Sequence, residues 1–523
     1  MTSNSGMRRF IPEAMNGGGF SVNPGRTELL LGPDIQAARQ CRPTKIMVPM
    51  HAQSAGRLSI KPAMKPARPF AKSARNISNL KSQISNLWLR NAAGLLVLCL
   101  CWPPASLAET ILITGAAVHT VSGPTLGSAQ VLIKDGKIAA VESAIKVKAD
   151  RVVKLNGYHL YPGLIAASTS LGLTEINAVR ASQDTAEVGD YTPDVQAWIA
   201  VNPDSELLPV ARANGITHAL ALPMGGIVTG QSGLIALEGW TTEQLTVKQP
   251  VALHLFWPGM ALDTTPREQF KDKSKWKSLE DQAKERRKKL KQIDDFFEEA
   301  RAYAKAREAA GKSAAPDAGL QPAWEAMLPL VRGDIPLMIH AQEIRQIKSA
   351  LTWVNTRSYK MILAGGQDAW KAAELLAKSK IPVIYEGVFQ QPARDTEAYD
   401  IHFRAPEILR KAGVTVIFGP GAGSSAAANI RNLPYAAAQA VAFGFPADEA
   451  LKAVTLYPAQ VLGVGDRLGS IEIGKEATLF ASDGDILDLR ANVKRMWIAG
   501  REVSLESRHT RLYEKYKLRP TRR

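Results

Sequence analysis

The sequence predicts an α/β fold: a TIM-like (β/α)8 barrel plus a small β-sandwich built from both ends of the mature chain. Three observations predict it. Short apolar runs alternate with helical stretches across residues 161–465. Both flanks of that region are rich in β-branched residues and tight turns. The length of 523 residues leaves room for one large barrel with additions.

The leader comes first in order. Residues 1–80 are rich in Pro, Gly, Ser, Lys and Arg without an apolar period, and read as disordered or as an over-called start. Residues 81–108 read as a signal peptide: Arg90 precedes the apolar run Ala92–Trp102, and Ser106-Leu107-Ala108 offers small residues at cleavage spacing. The run is too short to span a membrane as a helix. Export to the periplasm or the extracellular space, with cleavage near Ala108, is the expectation. Cys41, Cys99 and Cys101 all lie in this leader, so the body has neither disulfides nor thiolate ligands.

The formal charge of +16 is misleading as a nucleic-acid signal. Residues 1–108 hold 14 Lys+Arg and 3 Asp+Glu, which leaves 51 basic and 46 acidic residues for the rest. No basic stripe carries interleaved stacking aromatics, so a nucleic-acid partner is not expected.

Residues 109–160 and 466–505 are expected to pair into the sandwich. Thr110–Val121 is strand-like; Val131–Ile133 and Ile138–Val141 flank Asp135-Gly136-Lys137; Val152–Leu155 and Tyr158–Tyr161 flank Asn156-Gly157. Asp-Gly and Asn-Gly between apolar runs are hairpin signals. Ser470–Ile473, Ala477–Ala481 and Val493–Ile498 repeat the texture, with turns at Gly474-Lys475 and Ala499-Gly500.

The barrel, 161–465, has eight candidate strands: Tyr161–Ala167, Ile216–Leu222, Gly233–Leu237, Val251–Trp257, Ile335–His340, Lys360–Leu363, Ile381–Tyr385 and Val414–Phe418. Helices are expected at Gln367–Ala377 and Glu449–Thr455. The segments joining the second, third and fourth runs are too short for standard crossover helices. An insertion, 276–310, reads as a charged amphipathic helix with Leu279, Ala283, Leu290, Ile293, Phe297, Ala300 and Ala304 on one face. Glu280–Lys284 and Glu285–Lys289 are favourably oriented ion pairs, and Gly311 can end the helix. Residues 506–523 form a basic tail.

At Tyr161-Pro162-Gly163-Leu164-Ile165-Ala166-Ala167-Ser168-Thr169-Ser170-Leu171-Gly172 the sequence resembles the amidohydrolase superfamily, especially its imidazolonepropionase-like branch. There the first barrel strand runs Pro-Gly-Leu-Ile-Asp-x-His-x-His-x-Gly. The resemblance extends over about 110–505, through Val131–Ile138, Glu449–Thr455 with Pro458-Ala459, and Gly469–Ala477. It implies a hydrolase acting on carbon–nitrogen bonds other than peptide bonds, with a zinc-like divalent metal activating water.

The family's ligand positions are mostly substituted. Ser168 and Ser170 stand at the strand-one histidine positions and Ala166 at the preceding aspartate. The strand-six histidine position falls at Ala364-Gly365-Gly366, and strand eight ends Phe418-Gly419-Pro420-Gly421 without an aspartate. Strand four has no lysine or glutamate in Val251–Trp257. His340 alone matches a family ligand, and is the candidate catalytic residue; as a lone imidazole it equally reads as a hydrogen-bonded remnant. Glu175, Asp190, Asp194, Glu343, Glu386 and His254 could rebuild a site, or serve as caps, solvated charges and a barrel-wall histidine. The Gly-rich stretch Met224–Gly233 lacks the Gly-Lys-Ser/Thr of a phosphate loop and reads as a tight connection.

Three functions follow: the hydrolase with a degenerate metal site, a non-catalytic periplasmic ligand-binding homologue, and a structural partner acting through the 276–310 helix. A small-molecule ligand or substrate suits the first two, and a homo-oligomer is compatible with all three.

Overall fold

In a computed structural model of the chain the described residues are 109–310, 320–423 and 425–520. The expected leader, its signal peptide and Gly311 lie outside them. The first sheet opens with β1 (Ile111–Val118), β2 (Leu126–Lys134), β3 (Lys137–Glu142), β4 (Arg151–Lys154) and β5 (His159–Pro162). The second sheet is the barrel: β6 (Leu164–Thr169), β7 (Ile216–Ala221), β8 (Val228–Ala236), β9 (Thr246–Phe256), β10 (Leu337–Ala341), β11 (Met361–Gly365), β12 (Val383–Tyr385) and β13 (Val416–Phe418). Then β14 (Leu479–Ser482), β15 (Val493–Ile498) and β16 (Arg501–Val503) rejoin the first sheet, in the order β16-β15-β14-β5-β1-β2-β3 with β4 on β1.

Turn chemistry explains most of the first sheet. Asp135 (φ 53°) and Gly136 (φ 74°) make the left-handed turn that joins β2 to β3. Ala499 and Gly500 do the same for β15 and β16. Asn156-Gly157 does not make the expected hairpin. β4 and β5 both run parallel to β1, on successive stretches of it, so the turn only offsets a chain that continues in one direction. Asn156 fits there because it packs against Gly115, where a Cβ would meet its Oδ1. Ser470–Ile473 is not a strand either; its Ile471 N–H donates to the Thr120 carbonyl, tying the segment to a loop rather than a ladder. A buried core of Ile113, Val131, Ile133, Leu160, Leu479 and Trp497 packs on the sheet.

All eight expected barrel strands are present, in the order β6 to β13, which makes a nearly closed barrel. Its strands are not all parallel. β8 pairs antiparallel with both β7 and β9, because neither connection is long enough for a crossover. Much of the Gly-rich stretch is therefore strand. Gly230 and Gly233 lack side chains where Val195 and Trp198 lie across β8; a Cβ at either would sit 2.5–2.6 Å from those residues.

Alternation along the strands sorts the two faces. Ile165, Leu220, Ala252, Met338, Ile362, Ile384 and Ile417 pack inward. Leu253, Leu337, Ile339, Leu363, Val383 and Phe418 pack outward against helices. Among these helices are α1 (Leu279–Ala310), α2 (Pro322–Arg332) and α3 (Ile344–Asn355). α1 is the expected insertion, docked through buried Ile293, Phe297, Ala300 and Ala304. Its described ion pairs differ from the expected ones: Glu285 pairs with Lys277 ahead of the helix, and Lys291 with Asp295. Among the described residues no helix is long and apolar enough to cross a membrane.

Candidate functional site

The site lies at the C-terminal ends of the barrel strands. His254, two residues after inward Ala252, and His340, two after inward Met338, share the inner face of adjacent strands. Their rings meet: His254 Nδ1 lies 2.9 Å from His340 Nε2. One nitrogen must carry the shared proton and the other accept it, so the pair is one neutral hydrogen-bonded unit. Phe256 stacks on the His340 ring at 4.0 Å and 4°. Burial holds His340 down at about 3. Burial, then the neighbouring His340, drives His254 well below its ordinary range. His254 Nε2 is buried with no hydrogen-bond partner among the described residues.

Across the mouth, Glu386 follows β12 two residues after inward Ile384. Its carboxyl accepts a hydrogen bond from Ser168 Oγ on β6. Burial pushes the Glu386 carboxyl up to about 7, against the opposing pull of that hydrogen bond. The pair joins the first barrel strand, β6, to the end of the seventh, β12, past the last strand β13. Gly419, just past β13, leaves the space for it: a Cβ there would stand 2.6 Å from Ile384 and 3.6 Å from both Glu386 Cγ and Ser168 Cβ. Gly421 has φ +83° and would bring a Cβ within 3.2 Å of Glu386 Oε2. Ser170 Oγ donates to the Gly423 carbonyl at 3.3 Å, pinning the same turn.

The substituted positions thus fall in two groups. Ser168 and Ser170 are fully buried and bonded to the strand-seven glutamate and the strand-eight turn. Gly365 sits at φ +93°, with Gln342 Nε2 2.4 Å from where its Cβ would be. No side chain fits there without displacing Gln342 and straining the backbone. Gly365→Ala is expected to lower stability by about 1–2 kcal/mol from the left-handed backbone alone; an unchanged denaturation midpoint would show that the conformation is not required. Pro420 occupies the turn between Gly419 and Gly421.

The remaining candidates resolve blandly. Glu343 caps α3 in a box with Gln346. Asp190 and Asp194 are exposed loop charges, and Glu175 accepts from Asn202 at 3.3 Å. Among the described residues no three His, Cys, Asp or Glu side chains are arranged to hold a metal ion. Glu386 was legible only as a carboxylate at a strand end; its partner stands 218 residues away.

Known proteins are similar to this chain in sequence and in fold. A curated relative, amidohydrolase tasK of Hapsidospora irregularis, is 21% identical over 405 residues, covering 71% of this chain and 39% of the relative. The chain therefore spans well under half the length of that protein. The crystal structure of an amidohydrolase from Thermotoga maritima MSB8 superposes with a TM-score of 0.66 at 26% identity, over 75% of this chain and 99% of the other. The amidohydrolase family model matches residues 242–503, half of the sequence, and on that match the chain belongs to the amidohydrolase family.

Proposed function

We propose that this protein is a hydrolase of carbon–nitrogen bonds other than peptide bonds, acting on a small molecule at a barrel mouth whose metal ligands have been replaced. The observation that carries the reading is the His254–His340 hydrogen bond of 2.9 Å, which occupies a nitrogen of the one family-matching histidine. The donors around it do not fit a zinc-like ion. Two neutral hydroxyls at Ser168 and Ser170, a bare backbone at Gly365 and the imide of Pro420 replace imidazole and carboxylate.

In this reading Glu386 handles the proton. It stands beside the strand-eight turn that lacks the family's aspartate, and its pKa of about 7 lets it both take and return a proton at neutral pH. Ser168, out of contact with solvent, positions it by donating to the carboxyl. His340 is a neutral hydrogen-bond partner of His254 beside it. Export remains part of the reading, on the strength of Ala92–Trp102 and Ser106–Ala108. A second reading, a non-catalytic ligand-binding homologue, draws on the same four substituted positions.

The test is elemental mass spectrometry on the purified full chain and on His340→Ala. Metal at background in both is the expected result. Near-stoichiometric zinc, manganese or iron that disappears in the variant would overturn the reading. An amide and lactam screen with Glu386→Gln then separates the two readings: turnover lost in the variant supports the hydrolase, and turnover by neither protein supports the binding homologue.

A further inference from the structure

The basic tail folds into a helix, Arg508–Lys517, that displays its apolar face to solvent. The helix is specified locally. Ser507 caps it in a reciprocal box with Thr510, its hydroxyl accepting the Thr510 N–H while the Thr510 side chain accepts the Ser507 N–H. It is tied to the body on its polar side: Arg511 donates from Nη2 to both carboxylate oxygens of Glu206, at 2.9 and 3.0 Å. Leu512, Tyr513 and Tyr516 share the face turned away from Arg511, by three- and four-residue spacing. No residue of the helix is buried; Tyr513 is 65% exposed, Tyr516 60%, and Leu518 at the C-terminal end 80%.

Such a face is costly to leave in water, and its surroundings indicate what covers it. Arg508, Lys515 and Arg519 have no carboxylate partner among the described residues. Arg508 and Lys515 line the Leu512 edge of the apolar strip with positive charge, Lys515 Nζ standing 5.5 Å from the centre of the Tyr516 ring. A second copy of this chain would set those charges against their own kind. A surface that is apolar within and anionic at its rim complements them, and tyrosine, with an apolar ring and a polar hydroxyl, suits the headgroup boundary of a bilayer.

We propose that the helix Arg508–Lys517 docks the protein on an anionic lipid surface, with Leu512, Tyr513 and Tyr516 entering the headgroup layer and Arg508, Lys515 and Arg519 contacting lipid phosphates. Three basic residues with a few buried apolar groups give reversible attachment rather than permanent anchoring. The proposal is independent of the chemistry at the barrel mouth.

Co-sedimentation of the full chain with vesicles tests it. Vesicles of phosphatidylglycerol and phosphatidylcholine in roughly equal parts are expected to carry down about tenfold more protein than phosphatidylcholine alone, and high salt to remove the difference. The triple variant Leu512→Ser, Tyr513→Ser, Tyr516→Ser and the double variant Arg508→Glu, Lys515→Glu should each abolish the excess. Thermal unfolding checks that both keep the fold. Equal sedimentation with the two vesicle types would overturn the proposal, and so would anionic binding that survives both variants. A change of oligomeric state in the triple variant would overturn it too, because a second copy would then be the occupant.

Discussion

Acidifying the protein from about pH 7.5 to about pH 5 will cost it roughly 3 kcal/mol of folding stability through three buried barrel histidines and one buried carboxyl alone. His218, His254 and His340 are all buried on the inner barrel strands. Burial, with Arg467 nearby, holds His218 at about 3, and burial alone holds His340 there. His254 is lowered by burial and by His340. Unfolding frees all three to take up protons below their ordinary value near 6.5, while the native state stays uncharged. Their contribution is complete above that value and is lost as pH falls, by about 2 kcal/mol each at pH 5. Glu386 works in the opposite direction. Its carboxyl, raised to about 7, binds a proton in the native state before the unfolded chain does, which offsets roughly 2–3 kcal/mol of the loss. Urea unfolding across this pH range measures the sum. Glu386→Gln should steepen the loss and His340→Gln should flatten it. Stability that is flat from neutrality to pH 5 in all three proteins would contradict the buried, uncharged histidines.

Phe297→Ala should be the most damaging single truncation of the α1 insertion, at about 3–5 kcal/mol. Its ring is fully buried, meets Trp353 edge-on at 4.9 Å and lies 5.7 Å from Tyr359. Ile293, Ala300 and Ala304 flank it on the same buried stripe. Reversing the charge of exposed Lys284 or Lys288 should change stability by about 0.5 kcal/mol or less. Chemical denaturation of these variants measures both. Equal effects at Phe297 and Lys288 would mean that the helix is not held by its apolar stripe, and would favour a partner-binding role for its charged face.

The strands of the barrel were legible because each is a short apolar run bounded by turn residues, and the α1 stripe because its period is helical. Direction was harder to read. Nothing in the side chains of Val228–Ala236 states that β8 runs backwards; only the short connections on either side carry that information. Asn156-Gly157 misled for a related reason: the dipeptide fixes a local turn, while the partner strand decides whether the chain reverses. At the site, the substitutions at Ser168, Ser170, Gly365 and Pro420 could be read from their positions against the family pattern. Their replacement contacts could not. Ser168 with Glu386 and His254 with His340 are joined across 218 and 86 residues, and such pairs exist only once the barrel closes.

The first sheet has a consequence for how the protein is made. β5 ends at Pro162, and its antiparallel neighbour β14 begins at Leu479, roughly 300 residues later. At a synthesis rate of about 5–20 residues per second, β5 waits on the order of tens of seconds with one edge unpaired. Trp497, which fills the core beneath, arrives later still. A nascent chain in that interval presents an open strand edge and an unfilled apolar face, so its yield in the cell should depend on whatever keeps half-made chains apart.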